Sequence, residues 1–237
     1  GKQTMVQNPI LPGVKAAWPI CLGYIPIGLA FGVLAQKAGM TWFQISLMSS
    51  IVFAGSSQFI AVSMLASGSG ALAVIMTTFF VNLRHLLMSS SLATLLHNEH
   101  RGKLSVFAYG VTDESFAINY TRLLAGDWDL NRSLVLNHTA NACWILSTVA
   151  GGFFGHLVPA HSLGIDYALI AMFICLLVFQ FTSRLIVLTA MIAGMLSVAL
   201  ALWIPGNSYI VLASVIAASI GMGIGRLSPT FHAGKGD

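Results

Sequence analysis

The segment Asn82-Leu83-Arg84-His85 places a guanidinium and an imidazole inside an otherwise apolar stretch. No Asp, Glu, Lys or Arg occurs between residues 38 and 83. An arginine at membrane depth costs at least about 2.5 kcal/mol and normally faces a bundle interior or a wet cavity. Its planar fork suits a carboxylate, which can belong to a ligand or to the protein. The segment therefore predicts a polar site within a membrane protein.

Two acids, Asp113 and Glu114, lie in the next apolar run. Adjacent residues diverge by about 100° on a helix, so only one of them can face a given cavity. We predict that Asp113 faces the interior near Arg84 and that Glu114 is less critical. Arg84 then has two compatible roles, an ion pair with one of these acids and a grip on a ligand carboxylate that competes with it. His85, Asp113 and Glu114 are the candidate proton carriers.

The composition restricts the class of protein. Charged residues make up 8% of the chain and apolar residues 57%, against about 25% charged in soluble domains. The net charge of +4 does not indicate a nucleic-acid surface. The basic residues mostly lie at predicted helix ends, where the positive-inside rule and anionic lipid explain them. We find no phosphate-binding loop, no metal-ligand spacing and no nucleophile–base pair. The chain is therefore predicted not to be an enzyme and to need no cofactor or metal.

Long charge-free runs predict an all-α, polytopic transmembrane bundle of seven to eight spans, forming a single domain over residues 1–237. The predicted spans are 16–36, two within 38–96 that are split at 67–70, 104–125, 133–158, 166–184, 185–204 and 208–225. A weak internal repeat relates residues 39–42 to 164–167.

The first span contains Pro19 and Pro26. Proline removes a helical hydrogen bond, and freed carbonyls of broken helices form substrate sites in many transporters. We therefore predict a kink or an unwound turn between Tyr24 and Gly28. Gly28 and Gly32 are spaced for close helix packing.

The distribution of basic residues favours a cytoplasmic amino terminus. Under eight spans, Lys37, Arg101 and Lys103 are expected on the outer side. A re-entrant hairpin at 55–58 is the alternative, and it would reverse the sidedness of every later loop.

Several strings in the first half of the chain resemble one family, the AzlC-type branched-chain amino acid exporters, large subunit. They are Gly23-Tyr24-Ile25-Pro26, Ala30-Phe31-Gly32, Phe53-Ala54-Gly55-Ser56-Ser57-Gln58-Phe59, Asn82-Leu83-Arg84-His85 and Val111-Thr112-Asp113-Glu114-Ser115-Phe116-Ala117. The signature half is 13–125, whereas the C-terminal helical half, 133–227, is similar only in length and hydropathy. Asn82 stands where relatives can carry an acid, which puts in doubt a mechanism that needs a carboxylate beside Arg84.

The resemblance implies a multi-pass protein of the bacterial inner membrane. It implies export of leucine, isoleucine, valine and analogues by secondary transport that is coupled to protons, and a small AzlD-type membrane subunit as partner. A zwitterionic substrate needs a cation, acceptors for its ammonium group and an apolar pocket. The residues assigned to these roles are Arg84, Asn82, Gln58, carbonyls near Pro26, Phe31, Phe53 and Phe116. The alternatives are a channel, a transporter of another small solute, and a scaffold whose partner binds substrate.

Overall fold

The computed structural model describes residues 8–96, 99–157, 184–203 and 208–227, with residues 167, 174 and 178. Within these ranges the chain is helical and contains no strand, which confirms the all-α prediction. The helices are α1 (Ile10–Lys37), α2 (Trp42–Ile51), α3 (Gly55–Ala66), α4 (Ala71–Ala93), α5 (Arg101–Tyr109), α6 (Asp113–Ala125), α7 (Leu130–Phe154), α8 (Arg184–Ala201) and α9 (Ser208–Leu227). The sixth predicted span lies almost entirely outside the described residues.

The chain divides into two units, residues 1–69 with 81–169, and residues 70–80 with 170–237. In the second unit α8 packs against α9, where Gly221 lies against the side chain of Thr189. The first unit contains Arg84 and both acids, and it is described below. The assignment of one domain to residues 1–237 stays a prediction.

Helices α1 and α7 run parallel and pack along their lengths. The contacts between them pair Gly13 with Val135, Gly28 with Ser147, and Gly32 with Thr148 and Gly152. Residue numbers rise together on both helices, so the two helices point the same way. A Cβ atom at Gly32 would overlap the α7 backbone. The predicted close packing of Gly28 and Gly32 is therefore confirmed.

Helix α1 is continuous through Pro19 and Pro26. The unwound turn predicted between Tyr24 and Gly28 is therefore wrong, and the kink given as its alternative stays a prediction. Pro26 is exposed and lies on the face of α1 opposite Gly28, so its ring points away from α7. The glycine face holds the helix against α7 on both sides of the proline, and this packing outweighs the missing backbone hydrogen bond.

Helices α2 and α3 form a hairpin, here called hairpin 1, with its turn at 52–54. Its course is fixed by contacts of Ile45 with Gly152, Ser49 with Thr148, Gly55 with Trp144 and Phe59 with Phe31. Along α2 the contacts move from Gly152 toward the start of α7. Along α3 they move back in the opposite direction, to Phe31 in the second half of α1. Gln58 Nε2 donates to Ser49 Oγ at 3.1 Å and joins the two arms. The chain therefore enters the bundle, turns and leaves by the same end.

Helices α5 and α6 form hairpin 2, with its turn at 110–112. Asn137 of α7 joins its arms: Nδ2 donates to the Phe107 carbonyl at 3.2 Å, and Oδ1 accepts from Asn119 Nδ2 at 2.9 Å. At 1.5 Å per residue, arms of 9 and 13 residues are too short to cross a hydrocarbon core of about 30 Å. The spans predicted near 38–67 and at 104–125 are thus corrected to hairpins. Neither turn contains a proline or a charged residue, so the sequence did not separate the two arms.

The second half of α4 runs from the tip of hairpin 1 toward the start of α7. Asn82 contacts Ser57 near that tip, and Leu92 and Leu96 reach Leu130 in one apolar cluster. Hairpin 1 follows α1, and hairpin 2 follows α4. Each hairpin enters the bundle from the end at which the preceding helix stops, so the two hairpins enter from opposite ends. Inverted repeats of this kind are common in transporters. The repeat predicted from 39–42 and 164–167 is a different one, and residues 164–166 lie outside the described ranges.

The hairpins change the sidedness of the basic residues. Leu104, at the start of α5, packs in the same cluster as Leu130, so α5 begins at the end where α7 begins. Among the described basic residues of the first unit, those at that end are Lys15, Arg101, Lys103, Arg122 and Arg132, and Lys37 lies at the other. The expected outer position of Arg101 and Lys103 is therefore wrong. The positive-inside rule favours a cytoplasmic position for this basic end of the first unit.

Candidate functional site

Arg84 links the tips of the two hairpins. Its Nη1 lies 2.8 Å from Asp113 Oδ2 on hairpin 2, and its Nη2 donates to Ser56 Oγ on hairpin 1 at 2.5 Å. The two charged side chains are 29% and 32% exposed, so the pair is partly accessible. The predicted pairing of Arg84 with Asp113 is confirmed. Arg84 Nε is buried and has no hydrogen-bond partner in the described chain.

The first turns of two helices meet at this arginine. Helix α6 starts at Asp113 and is capped, because Thr112 and Ser115 exchange the two bonds of a capping box. Helix α3 starts at Gly55 behind Ala54, with neither a side-chain cap nor an acid in its first turn. A helix amino terminus carries a partial positive charge and free N–H groups. The α3 terminus therefore adds to the positive potential around Arg84.

Tyr24 holds Glu114 and the turn of hairpin 2 from the side of α1. Its hydroxyl lies 2.8 Å from Glu114 Oε2 and 2.9 Å from Thr112 Oγ1, and the side chain is buried. The two adjacent acids thus have different partners, Arg84 and Tyr24, as their divergence on the helix requires. The residue type gave no signal for this role, and Tyr24 is marked only by its place two residues before Pro26 in one of the family strings.

The tips of the hairpins touch through aromatic rings. The rings of Phe53 and Tyr109 lie 6.2 Å apart, and Phe53 also meets Tyr24 edge-on at 6.4 Å. The Tyr109 hydroxyl donates to the carbonyl of Ser50 at the end of α2. Phe53 has φ of +37°, which is rare for a residue with a bulky side chain. Such a conformation costs about 1–3 kcal/mol and is characteristic of functional sites.

Gln58 is completely buried between three helices. Its Oε1 accepts from Trp144 Nε1 at 2.9 Å, and its Nε2 donates to Ser49, which also bonds to Thr148 at 2.8 Å. Both ends of the amide thus have protein partners. These bonds hold hairpin 1 against α7.

The other predicted site residues lie at varying distances from Arg84. Asn82 is half-buried and accepts a bond of 2.5 Å from Ser57, and His85 is half-buried beside Arg84. Phe31 is packed between Phe59 and Trp144, and exposed Pro26 faces away from α7. Phe116 stacks on Tyr120 and packs against the apolar cluster around Leu130. The structure therefore brings Arg84, Asp113, Asn82 and Phe53 together at the hairpin tips, with Glu114 nearby. It does not bring Phe31, Phe116 or Pro26 there.

Ser56 and Tyr109 are tip residues that the sequence did not predict. The signal for Ser56 is the Gly55-Ser56-Ser57 string, which indicates a turn but does not identify a partner of Arg84. Tyr109 gave no signal beyond its place before Gly110. Among the described residues no cluster of three or more metal ligands occurs.

The chain was compared with known proteins. The family model described as AzlC protein matches residues 19–158. An inner membrane protein of Escherichia coli, YgaZ, is 30% identical over 199 residues, which cover 80% of this chain and 81% of that protein. The branched-chain amino acid transport protein AzlC of Bacillus subtilis is 30% identical over 197 residues, covering 81% and 76%. An uncharacterized membrane protein of Haemophilus influenzae is 25% identical over 179 residues, covering 73% of each chain.

No solved structure matches this chain. Among its described helices, α1 and α4 are long and apolar enough to cross a bilayer. The family match extends over both hairpins and over Arg84, and its members bear the names of membrane and transport proteins. The chain is a multi-pass inner-membrane transport protein, and it belongs to the AzlC family.

Proposed function

We propose that this chain exports branched-chain amino acids and binds them at the hairpin tips. The observation that carries the proposal is Arg84, whose buried Nε has no partner in the described chain and which lies at the uncapped start of α3. A relative of similar length is named for branched-chain amino acid transport. Half-helix amino termini near the bilayer midplane bind substrate carboxylates in other transporters.

The substrate carboxylate would bind between Arg84 and the first turn of α3. Ser56 already brings its hydroxyl to the guanidinium, so a carboxylate could bridge the arginine and the N–H groups beside it. Both parts carry positive charge and belong to different elements. A small anion at this position would stabilise the contact between α4 and hairpin 1.

The ammonium group and the side chain of the substrate need the other parts of the site. Asp113 and Glu114 supply carboxylates on the hairpin 2 side, and the Phe53 and Tyr109 rings supply apolar surface between the tips. Pairing an ammonium with carboxylates and a branched side chain with rings satisfies both ends of the ligand. Gln58 and Asn82 would act through the packing of hairpin 1.

Competition for Arg84 provides a route to proton coupling. A substrate carboxylate that takes the guanidinium displaces Asp113, which is the acid paired with it in the structure. The released carboxylate can then pair with the ammonium group of the substrate. Protonation of Asp113 cancels this pairing and releases the substrate, and loss of the proton restores the ion pair with Arg84. Substrate and proton would thus compete for Asp113 and be exchanged across the membrane, with His85 adjacent to accept or donate a proton.

A small AzlD-type subunit is proposed as the partner. Gly221 of α9 lies against the side chain of Thr189 of α8. Around Gly223, by contrast, no described residue lies within 4 Å of a Cβ atom placed there. A glycine that meets no neighbour lets another helix approach closely. Self-association would use the same face.

The test is leucine efflux from cells that express this chain with and without the neighbouring small membrane protein. Counterflow in proteoliposomes is the second measurement: leucine trapped inside should accelerate uptake of labelled leucine, and the uptake should saturate. Uptake that neither saturates nor exchanges would identify a channel. Leucine bound only when the small protein is present, and unaffected by Arg84→Lys, would identify a scaffold.

A further inference from the structure

A cavity of about 290 Å³ lies between the start of α1 and the end of α6. It is lined by Lys15, Arg122, Leu11, Pro12 and Ala16. The cavity lies at the basic end of the first unit, a long way along α1 from Tyr24 and the hairpin tips. Its two polar lining residues are both cations.

Neither cation has an acid partner in the described chain. The ion pairs there join Arg84 to Asp113 and Arg132 to Asp129. The first turn of α1 also contains no acid, so the positive end of that helix adds to the same potential. The cavity is therefore positive without an internal counter-charge.

Arg122 is held in place beside the cavity. Its guanidinium carbon lies 4.7 Å from the centre of the Trp128 ring, and Trp128 Nε1 donates to Asn119 Oδ1 at 3.2 Å. A cation over a fixed indole is restrained without being neutralised. The arginine is therefore preorganised to bind an anion.

An apolar stripe of α1 begins at the cavity. Exposed large apolar residues recur on one face of the helix, namely Leu11, Val14, Trp18, Leu22, Ile25 and Leu29. Tryptophan is enriched where membrane helices meet the headgroup layer, which places Trp18 near that depth. The cavity thus continues into a surface along which acyl chains can lie.

We propose that this cavity binds the phosphate headgroup of an anionic phospholipid of the inner leaflet, with the acyl chains along the α1 stripe. Lys15 and Arg122 would contact the phosphate, and basic pockets between helices on the cytoplasmic side bind such headgroups. The volume is near the lower limit of small-molecule pockets, about 300 Å³, which suits a headgroup rather than a whole lipid. The site is independent of the transport site at Arg84.

The test measures lipid binding by the purified chain in neutral detergent with native mass spectrometry. The probes are phosphatidylglycerol, phosphatidylcholine and inorganic phosphate. We expect retention of phosphatidylglycerol and not of phosphatidylcholine. The double variant Lys15→Gln, Arg122→Gln should weaken that retention by roughly 30-fold, the combined effect of two cations at an anionic surface.

The matched control is Arg101→Gln, Lys103→Gln, which removes two exposed cations at the same end of the unit but away from the cavity. It should bind phosphatidylglycerol as the unchanged chain does. Equal losses in both double variants would overturn the proposal, because binding would then follow net charge alone. Inorganic phosphate that displaces the lipid at millimolar concentration would overturn the assignment to a phospholipid. Single variants Lys15→Gln and Arg122→Gln replace the double variant if its elution profile shows misfolding.

Discussion

Arg84 and Asp113 form an ion pair that joins the long helix α4 to the first residue of α6, with Nη1 2.8 Å from Oδ2. Partial exposure of both side chains distinguishes the pair from a sealed structural bridge. The same guanidinium bonds to Ser56 on the opposite hairpin. One cation therefore bridges two hairpin tips that enter from opposite ends of the bundle, alongside the direct contact of Phe53 with Tyr109, and an anion that competes for it would weaken this bridge.

The fork of Arg84 is predicted to be essential. Arg84→Lys keeps the charge but loses the rigid planar group whose Nη1 and Nη2 atoms reach Asp113 and Ser56 in a fixed geometry. We expect leucine efflux to fall at least about tenfold, with membrane insertion unchanged. Arg101→Lys, an exposed arginine outside the tips, is the control and should export normally. Full export by Arg84→Lys would refute the grip on a carboxylate.

Asp113 is predicted to carry the pH dependence of export. Asp113→Asn removes the charge that competes with the substrate for Arg84 and cannot bind a proton, so efflux should become slow and nearly independent of pH. Glu114→Gln should keep its pH dependence, since Tyr24 can still bond to the amide. Efflux rates between pH 6 and 8 give the comparison. A normal pH profile in Asp113→Asn would show that the proton binds elsewhere.

The charged residues were the part of the site that the sequence could predict. Arg84 and Asp113 stand out because a charged residue in an apolar run needs a partner of opposite charge, and the apolar runs contain few charged residues. The turns of the hairpins lacked such a signal. Residues 52–54 are all apolar, and residues 110–112 contain a glycine and a threonine but neither a proline nor a charge. The capping box at Thr112 was a local start signal for α6, but its serine at the third position makes it weaker than one with glutamate.

Pro26 led to an error of the opposite kind, because it predicted an unwound turn where the helix is continuous. Its local effect is the loss of the hydrogen bond to the carbonyl of Leu22, yet the helix continues because its glycine face packs against α7. Pro26 faces outward, whereas Gly28 and Gly32 are pressed against α7. Which face meets a neighbour is a tertiary fact, so the sequence alone could not supply it.

Gly32 is predicted to have no tolerance for a side chain. A methyl group there would overlap the backbone of Thr148 and Gly152, neither of which can move without separating α1 from α7. We expect Gly32→Ala to destabilise the protein by about 1–3 kcal/mol, seen as a lower melting temperature in detergent. Gly23→Ala on the same helix is the control, because no described residue lies within 4 Å of its Cβ position. Equal melting temperatures for the two variants would contradict the parallel packing of α1 on α7.

Trp144 is predicted to stabilise hairpin 1 through Gln58. Trp144→Phe keeps most of the ring but leaves Gln58 Oε1 buried without its donor. An unsatisfied buried acceptor costs about 1–3 kcal/mol, so the melting temperature should fall. In Gln58→Leu the same tryptophan change should cost less, because the acceptor is gone. Identical losses in both backgrounds would exclude a stabilising bond between these two residues.

The last prediction concerns the side of the membrane on which α5 begins. If α5 and α6 form a hairpin, Lys103 lies on the same side as Lys15, and Lys37 lies on the other. Single cysteines at these three positions, in a chain whose Cys21, Cys143 and Cys175 are replaced by serine, can be labelled with a membrane-impermeant maleimide. In intact cells only Lys37→Cys should react, and in inverted vesicles Lys15→Cys and Lys103→Cys should react. An α5–α6 segment that crossed the bilayer would instead expose Lys103→Cys together with Lys37→Cys, because α4 would have to end on the outer side, and the account of two opposed hairpins joined by Arg84 would fail.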